Sequence, residues 1–429
     1  MRQLDYLSKP PEILPIRKII TPNVINYHSE QDIPVYEVRK EGCGIVTIEI
    51  VYTAGRPLES TKLVSGACAA LLREGAGTLS SEVISEELDY MGATLSIHST
   101  MDFITVKGVC LKQQLSAFLD MIGLIISEPH FKKEEWLLYK KKSIERLKVQ
   151  LAKTDILSYR TVTEAMYGAD HPYGYNSAPE YYDDVTVGLL KEHHHRHLVA
   201  DNCQIFVAGD ISVNERNLID RLCLKIPKGE KQDRVYKTPR VDSAPRQIFV
   251  PGGTHQSSIR IARKAFNRQH EDFSGLNYVC NLLGGYFGSR LVSELREKRG
   301  LTYGIYSSMD SHLYDGDFMI STEVANENLN ETLEGIYQEM DTLRSNLVSD
   351  EEIELVNNYM MGNYLNLFDG PFNSIRAIKS LALSSIPLNE LDTLIKSSLS
   401  FDANHIRDIA IKYLDRNDFW EVIVGHHKE

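Results

Sequence analysis

Four histidines in the segment KEHHHRH are the first side chains whose type and spacing could do chemistry. His193 and His197 are four residues apart and would lie on one face of a helix, a spacing that can bind a metal ion. No glutamate in the arrangement of a hydrolase accompanies them, and two ligands without a third make a weak site. We therefore prefer a solvent-exposed helix face that happens to be rich in histidine, and metal binding by His193 and His197 stays open.

A second candidate is the segment 282–308, which reads LLGGYFGSRLVSELREKRGLTYGIYSS. Its glycines predict a turn that leads into a short helix, and Gly300 predicts the end of that helix. A strand follows, so Arg296 late in the helix and Tyr303 early in the strand could converge across the turn. Period-two alternation places Tyr303 on one face with Ile305. Without further knowledge, Arg296 would complement the helix end and Tyr303 would be half-buried core.

Other classes of function find little support. The chain has no Gly-x-Ser-x-Gly motif, and its six cysteines are scattered without a Cys-x-x-Cys pair, which favours reduced and mostly buried thiols. The 47 Lys and Arg residues against 59 Asp and Glu residues leave a net charge of −12, so we expect no nucleic-acid partner. No apolar run approaches a membrane span and no export signal is visible, so we expect a soluble, cytoplasmic protein.

The elements that must position these residues occur twice along the chain. A helix-like segment, an Asp/Asn turn and an alternating strand end at Gly209, and the same order of features ends at Gly425, 216 residues later. Asp102 opens a strand that precedes a helical pattern, and Asp317 does the same 215 residues later. Two landmarks at nearly one offset indicate a duplicated domain.

The join between the copies is predicted in the polar stretch IPKGEKQDRVYKTPRVDSAPRQ. The N-terminal domain then covers residues 1–228 and the C-terminal domain covers residues 245–429. Each half mixes period-two strands with long amphipathic helices, and several strands follow one another without an intervening helix. The predicted fold class is α+β, with two duplicated domains, each a mostly antiparallel sheet covered by helices.

The segment GGYFGSRLVSELREKRGLTYGIYSS resembles the C-terminal-half signature of the pitrilysin/insulinase family of zinc peptidases, which includes the mitochondrial processing peptidase subunits. The resemblance covers essentially the whole chain, because the domains of that family are also duplicated α+β units of about this size. It implies that Arg296 and Tyr303 help to bind substrate opposite a zinc site contributed by an N-terminal-type domain.

The zinc motif of that family is missing from the sequence. The family places an inverted His-x-x-Glu-His motif on an early helix, which corresponds here to GACAALLREGAGTLS. The two His positions fall on Ala69 and Arg73, and the Glu position falls on Leu72. No histidine occurs between His28 and His98, so no shift of register recovers the motif.

The later glutamate ligand of the family is expected near Val149 or Gln150, and neither can replace it, although Glu145 lies one turn away. The positive charge of Arg73 would also repel a divalent cation. We therefore expect no metal and no cofactor in this chain, with zinc supplied by a partner subunit.

The resemblance favours a pitrilysin-family homologue that is the Arg/Tyr substrate-binding subunit of a heteromeric zinc peptidase. Such a chain would be inactive as a peptidase on its own and would hydrolyse peptides only with a zinc-bearing homologous subunit. Arg296 would bind carbonyl or carboxylate oxygens of the peptide, and the Tyr303 hydroxyl would donate to the oxyanion. The alternative is a non-catalytic peptide-binding or structural paralogue of the same fold. Whether the partner is a separate gene product or a second copy in a homodimer stays open.

Overall fold

The computed structural model describes residues 19–231, 247–252 and 255–425. Most of the predicted join between the two halves, residues 232–246, lies outside the described residues, as does the start of the chain that was searched for an export signal. The strands of the described part form two sheets, one in each half of the chain.

The first sheet has six strands in the order β1-β2-β6-β3-β5-β4. All its neighbouring strands are antiparallel except β2 and β6, which are parallel. The alternating and β-branched sequences of these segments are typical of strands. The strands are β1 (Ile25–His28), β2 (Pro34–Arg39), β3 (Ile45–Tyr52), β4 (Thr94–Ser99), β5 (Ile104–Leu111) and β6 (Cys203–Gly209).

As far as the described residues extend, the second sheet repeats the topology of the first sheet without an equivalent of β1. Its order is β7-β11-β8-β10-β9, and only the pair β7 and β11 is parallel. The five strands are β7 (Gln247–Pro251), β8 (Gln256–Lys264), β9 (Thr302–Ser311), β10 (Gly316–Ala325) and β11 (Trp420–Gly425). Gly209 and Gly425 end equivalent strands, and the predicted duplicated α+β fold is confirmed.

Helices cover both sheets. The described helices are α1 (Val64–Leu71), α2 (Ser81–Tyr90), α3 (Leu115–Ser127), α4 (Lys133–Gln150), α5 (Thr154–Tyr167), α6 (Tyr181–Asp184), α7 (Val187–His197), α8 (Val213–Cys223), α9 (Phe273–Cys280), α10 (Leu329–Ser345), α11 (Asp350–Leu367), α12 (Gly370–Leu383), α13 (Leu391–Ser398) and α14 (Ala403–Tyr413). Among these described helices, none is long and apolar enough to cross a bilayer.

Each half has its own large hydrophobic core. The first core joins α1, α3 and α7 to the sheet of β3 and β5, and the second joins α9, α10 and α14 to the sheet of β8 and β10. Five of the six cysteines are buried and all six are unpaired thiols, as predicted. Burial of the apolar side chains of these two cores, on one face of each sheet, supplies the main stabilising free energy of folding.

The opposite face of each sheet is covered by a helix from the other half of the chain. Helix α5 packs against β8 and β11, where Met166 and Val422 are both fully buried. Helix α12 packs against β2 and β6, where Ile378 contacts the cluster that contains Phe206. The two halves thus exchange one helix each, so neither sheet is covered on both faces without the other half.

Polar contacts also join the exchanged helices to the sheets. Glu49 on β3 is buried and accepts hydrogen bonds from Lys379 of α12 and Lys107 of β5. Burial would raise the pKa of Glu49, but the two lysines hold it below its ordinary value. On α5, the hydroxyl of Ser158 lies 2.8 Å from that of Ser258 on β8. These contacts fix the orientation of each half against the other.

Candidate functional site

The helix at the expected zinc motif is α1, and its side chains form part of the first core. Ala69 is 1% exposed, and Leu72, directly after the helix, is fully buried. Both are apolar side chains without an atom that can bind a metal ion. They pack α1 against β4 and β5, so these two positions contribute to the core.

Arg73 ties the end of α1 to the edge of the first sheet. Its Nη1 donates to the carbonyl oxygen of Leu95 on β4 at 2.7 Å. A guanidinium stays protonated and has no lone pair to offer a metal ion. Beside it, burial and the carboxylate of Glu135 raise the pKa of Glu74, while Arg73 and Lys142 oppose that rise. The polar groups at this end of α1 therefore interact with one another and with the sheet.

Helix α4 packs against α1 and does not supply the missing ligand. Val149 and Gln150 are exposed in its last turn, and Glu145 pairs with Lys148 at 2.9 Å on the surface. Across residues 19–231, 247–252 and 255–425, no group of three His, Cys, Asp or Glu side chains is arranged to hold a metal ion. The donors on α1 and α4 do not fit zinc, which needs three or four nitrogen, oxygen or sulfur ligands.

Three of the four histidines of α7 are buried, so the prediction of a solvent-exposed histidine face was wrong for them, and only His195 of the four is exposed. His193, His194 and His197 are 3%, 4% and 6% exposed. The Nε2 of His193 donates to the carbonyl oxygen of Ala54 at 2.9 Å, and that of His194 donates to the carbonyl oxygen of Ile126 at 2.7 Å. Burial, with a smaller effect of His197, lowers the pKa of His193 to about 3. Burial also lowers the pKa of His194, so the imidazoles of His193 and His194 are neutral groups of the core.

His193 and His194 of α7 are buried because they bind backbone carbonyl oxygens that are distant in sequence. Ile126 lies in the last turn of α3, whose carbonyl oxygens have no partner within the helix. A buried carbonyl needs a donor, and the imidazole of His194 supplies it. Helical spacing alone could not show that α7 lies against α1 and the end of α3.

The segment with Arg296 folds as the predicted helix, but with π-helical turns. Asn281–Gly285 and Val292–Lys298 are both π-helical, a geometry found often at functional sites. Leu295 of this helix is fully buried. Gly300 has a positive φ of 64° and ends the helix, as its position predicts.

Gly284 permits the close approach of this segment to β9. A Cβ atom at Gly284 would lie 2.7 Å from the backbone nitrogen of Ser307. The Ser307 hydroxyl in turn donates to the carbonyl oxygen of Cys280 at 2.7 Å. The glycine-rich turn therefore brings the helix with Arg296 directly against the strand with Tyr303.

Tyr303 lies in a β-bulge at the edge of the second sheet. Ile305 pairs with Thr322 and Thr302 pairs with Val324, so Tyr303 and its neighbour Gly304 both face Glu323. The extra residue turns the strand, since Ile305 is buried while Tyr303 is 93% exposed. The predicted shared face and the half-buried position of Tyr303 were wrong, because strict alternation fails at a bulge.

Arg296 is also open to solvent at this turn. Its side chain is 38% exposed, with Nε 3.4 Å from the carboxylate of Glu297. The guanidinium carbon lies 5.0 Å from the ring centre of Phe287, which is itself 66% exposed. Within the described residues, no hydrogen bond joins Arg296 to Tyr303. The two side chains are thus separate, accessible hydrogen-bond donors on either side of one turn.

Two buried carboxylates form a polar cluster that the sequence did not identify as such. Asp102 accepts hydrogen bonds from the Tyr173 hydroxyl at 2.5 Å and from the backbone of Leu313 at 3.0 Å. Asp317 accepts from the Tyr167 hydroxyl at 3.0 Å. Both aspartates were landmarks of the internal repeat, but their burial depends on contacts with the other half of the chain, from Leu313 to Asp102 and from Tyr167 of α5 to Asp317.

Burial controls the charge of this cluster. Together with the nearby carboxylates of Asp310 and Asp315, and against the hydrogen bond from Tyr167, it raises the pKa of Asp317 to about 7. It also lowers the pKa of His171, stacked on Tyr167, to about 4. Burial between the two halves therefore favours the neutral forms of Asp317 and His171.

Comparisons with known proteins identify the relatives of this chain. The family model described as the peptidase M16 inactive domain matches residues 184–360, which include Arg296 and Tyr303. The chain is 22% identical over 294 residues to the "Uncharacterized zinc protease YmxG" of Bacillus subtilis, covering 68% of this chain and 71% of that protein. It is 17% identical over 368 residues to the "Non-peptidase homolog YmxG" of Helicobacter pylori, covering 84% of each.

Solved structures share the fold. A peptidase M16 inactive domain from Pseudomonas fluorescens superposes with a TM-score of 0.88 at 20% identity, over 95% of this chain and 99% of that chain. A protease from Helicobacter pylori superposes with a TM-score of 0.82 at 15% identity, over 94% of this chain and 99% of that chain. The predicted resemblance to the pitrilysin/insulinase group is therefore confirmed: residues 184–360 match the peptidase M16 inactive-domain family, and the chain has the fold of a solved M16 inactive domain over nearly its whole length.

Proposed function

We propose that this chain is the Arg/Tyr substrate-binding subunit of a heteromeric zinc peptidase that acts on peptides. The exposure of Tyr303 carries the proposal. A tyrosine that is 93% exposed adds little to core packing, yet a bulge and a close glycine contact hold its backbone in place. Such a position is typical of a residue that contacts a ligand.

The two side chains suit the oxygens of a peptide. The Tyr303 hydroxyl can donate a hydrogen bond to a carbonyl oxygen, and more strongly to the oxyanion that develops when that carbonyl is attacked. Arg296 can donate to carbonyl or carboxylate oxygens, since Glu297 is the one carboxylate of the described residues within ion-pair distance of its guanidinium. Both groups would bind and orient the peptide without activating water.

The metal would come from another subunit. Ala69, Leu72 and Arg73 supply no zinc ligand, so this chain alone is expected to hydrolyse no peptide. A homologous subunit with an intact His-x-x-Glu-His motif would supply zinc across the interface, whereas a homodimer of this chain would be silent. We place the complex in the cytoplasm, with no nucleic-acid partner.

A second candidate function is a non-catalytic peptide-binding or structural paralogue. The Helicobacter pylori relative that aligns with 84% of this chain carries the name of a non-peptidase homologue, which favours this alternative. In that case Arg296 and Tyr303 would bind peptide, or form a contact surface, without any chemistry in a complex.

The deciding experiment measures cleavage of a fluorogenic peptide library by the tag-free chain, alone and mixed with its most similar His-x-x-Glu-His homologue. We expect activity only in the mixture, with large losses for Arg296→Ala and Tyr303→Phe. Tyr90→Phe is the matched control, because Tyr90 is 86% exposed on α2. Activity of the chain alone would refute the proposal, and silence in every mixture, with peptide binding retained, would favour the paralogue.

A further inference from the structure

A cleft in the second half lies apart from the Arg296–Tyr303 turn. It opens between the start of α9, the end of β9, and helices α12 and α13, and we call it the α12–α13 cleft. Its volume is about 570 Å³, within the range of roughly 300–1,000 Å³ found for small-molecule sites.

The walls of the α12–α13 cleft are mostly apolar. Leu381 and Ile395 are 8% and 6% exposed, so the inner part is well shielded from water. The half-buried side chains of Phe273, Met309 and Leu394 continue this wall toward the opening. A surface of this kind favours an aliphatic or aromatic group, because its burial releases water from both partners.

Two guanidinium groups line the same cleft, and neither forms an ion pair with a carboxylate of residues 19–231, 247–252 or 255–425. Arg268 makes no side-chain hydrogen bond to a described residue, and its guanidinium carbon lies 5.9 Å from the ring centre of Phe273. Arg376 has only a 3.4 Å contact with the amide oxygen of Asn373. By contrast, Arg290 forms two hydrogen bonds to Glu352 at 2.7 and 2.8 Å.

The lining therefore carries positive charge that no carboxylate of the described residues neutralises. Asp310 is its one carboxylate, and within the described part of the chain it forms no ion pair with Arg268 or Arg376. Arg268 and Arg376 are both exposed to solvent, so their guanidinium groups are accessible to a ligand that enters the cleft. An accessible guanidinium can form charge-assisted hydrogen bonds to an anion that also brings its own apolar surface into the cleft.

We propose that the α12–α13 cleft binds a monocarboxylate with an apolar tail, with the carboxylate on Arg268 and Arg376 and the tail against Phe273, Leu381 and Leu394. This site is separate from the turn at Arg296 and does not depend on the peptidase proposal. Two sources share this chemistry, a fatty acid and the free C-terminus of an apolar peptide.

The test uses the full chain and isothermal titration calorimetry with sodium laurate below its micelle concentration. We expect one binding site, and a loss of affinity of about tenfold or more for Arg268→Gln and for Arg376→Gln, as charge-assisted hydrogen bonds disappear. Arg407→Gln is the matched control, because Arg407 makes the same 3.4 Å contact with an asparagine three residues earlier, on α14. It should bind laurate as the wild type does.

Three further titrations make the result decisive. Leu394→Ser, with its folding checked by circular dichroism, should weaken laurate binding through the tail. Dodecyltrimethylammonium has the same tail with the opposite charge and should not bind. N-acetyl-trileucine, compared with its amide, shows whether a peptide carboxylate is also accepted.

The proposal is overturned if laurate does not bind, if the charge-reversed amphiphile binds equally well, or if the two arginine variants bind like Arg407→Gln. If laurate binds and N-acetyl-trileucine does not, the ligand of the cleft is a fatty acid. If the peptide acid also binds and its amide does not, the cleft accepts the C-termini of apolar peptides as well. The peptide cleavage assay with Arg296→Ala tests the proposed function separately, so its outcome does not depend on whether laurate binds to the cleft.

Discussion

Asp102 and Asp317 occupy equivalent places in the two halves, and each accepts a hydrogen bond from a tyrosine hydroxyl of the short segment 167–173. That segment begins at the last residue of α5, the helix that the first half contributes to the second sheet. One stretch of chain thus binds both copies of the repeated aspartate. The charge of this cluster should therefore affect the stability of both halves.

The first prediction concerns Asp317→Asn. The pKa of Asp317 is about 7 in the folded chain, against an ordinary value of 3.8. The folded state keeps the proton while the unfolded state loses it, so this group stabilises most below pH 4 and loses that contribution as the pH rises toward 7. A shift of this size is worth up to about 4 kcal/mol in the free energy of unfolding.

Urea unfolding at several pH values checks this. The free-energy advantage of the wild type over Asp317→Asn should shrink as the pH rises from 4 to 7. Asp341→Asn on the surface of α10, where Asp341 pairs with Arg344, should leave that slope unchanged. Parallel curves for the wild type and Asp317→Asn would contradict the buried position of the carboxyl.

The second prediction concerns acid sensitivity through His193. Its folded pKa of about 3 lies below the ordinary 6.5, so the unfolded state binds the proton first and stability falls as the pH drops from 6.5 toward 3. His193→Gln should cost about 1–3 kcal/mol at pH 7.5, because the hydrogen bond to Ala54 is disturbed. It should also lose less stability on acidification, whereas exposed His195→Gln should behave like the wild type.

The third prediction tests the approach of the glycine-rich turn to β9. Gly284→Ala places a Cβ atom 2.7 Å from the backbone of Ser307 and should lower the free energy of unfolding by about 1–3 kcal/mol. Gly304→Ala, in the same region, meets no atom within 4 Å and should change it by less than about 0.5 kcal/mol. Equal costs for the two variants, measured by thermal unfolding, would disprove the close contact.

The fourth prediction tests the exchange of helices. Ile378 of α12 is 1% exposed against the first sheet, so Ile378→Ala should cost about 2–5 kcal/mol. Ile411→Ala on α14 is the control, since Ile411 is 51% exposed. Hydrogen exchange should increase in β2 and β6 of the first half, although the substitution lies in the second. Protection unchanged in those strands would show that α12 does not support the first sheet.

Much of the fold could be predicted from local patterns. The strands that end at Gly209 and Gly425, and the helix that ends at Gly300, depend on residues within a few positions of one another. Side-chain alternation and glycine conformation act over that distance, so the sequence shows them directly. The internal offset between Asp102 and Asp317 then reveals the duplication.

The positions of single side chains could not be predicted in the same way. Tyr303 is exposed because the register between β9 and β10 shifts by one residue, and a bulge has no signature in this sequence. His193 and His194 are buried because carbonyl oxygens of Ala54 and Ile126 need donors. Those partners are 139 and 68 residues away, beyond any local pattern.

The sequence by itself determined which chemistry the helix α1 can perform, because Ala69 and Leu72 have no donor atom in any fold and Arg73 remains a cation. It also determined the succession of strands and helices, since backbone periodicity is a local property. Only the tertiary structure decided that α5 and α12 are exchanged, that Asp102 and Asp317 are buried, and that Arg268 and Arg376 line one apolar cleft. Each of these depends on contacts between segments far apart in the chain, where packing and desolvation set the outcome.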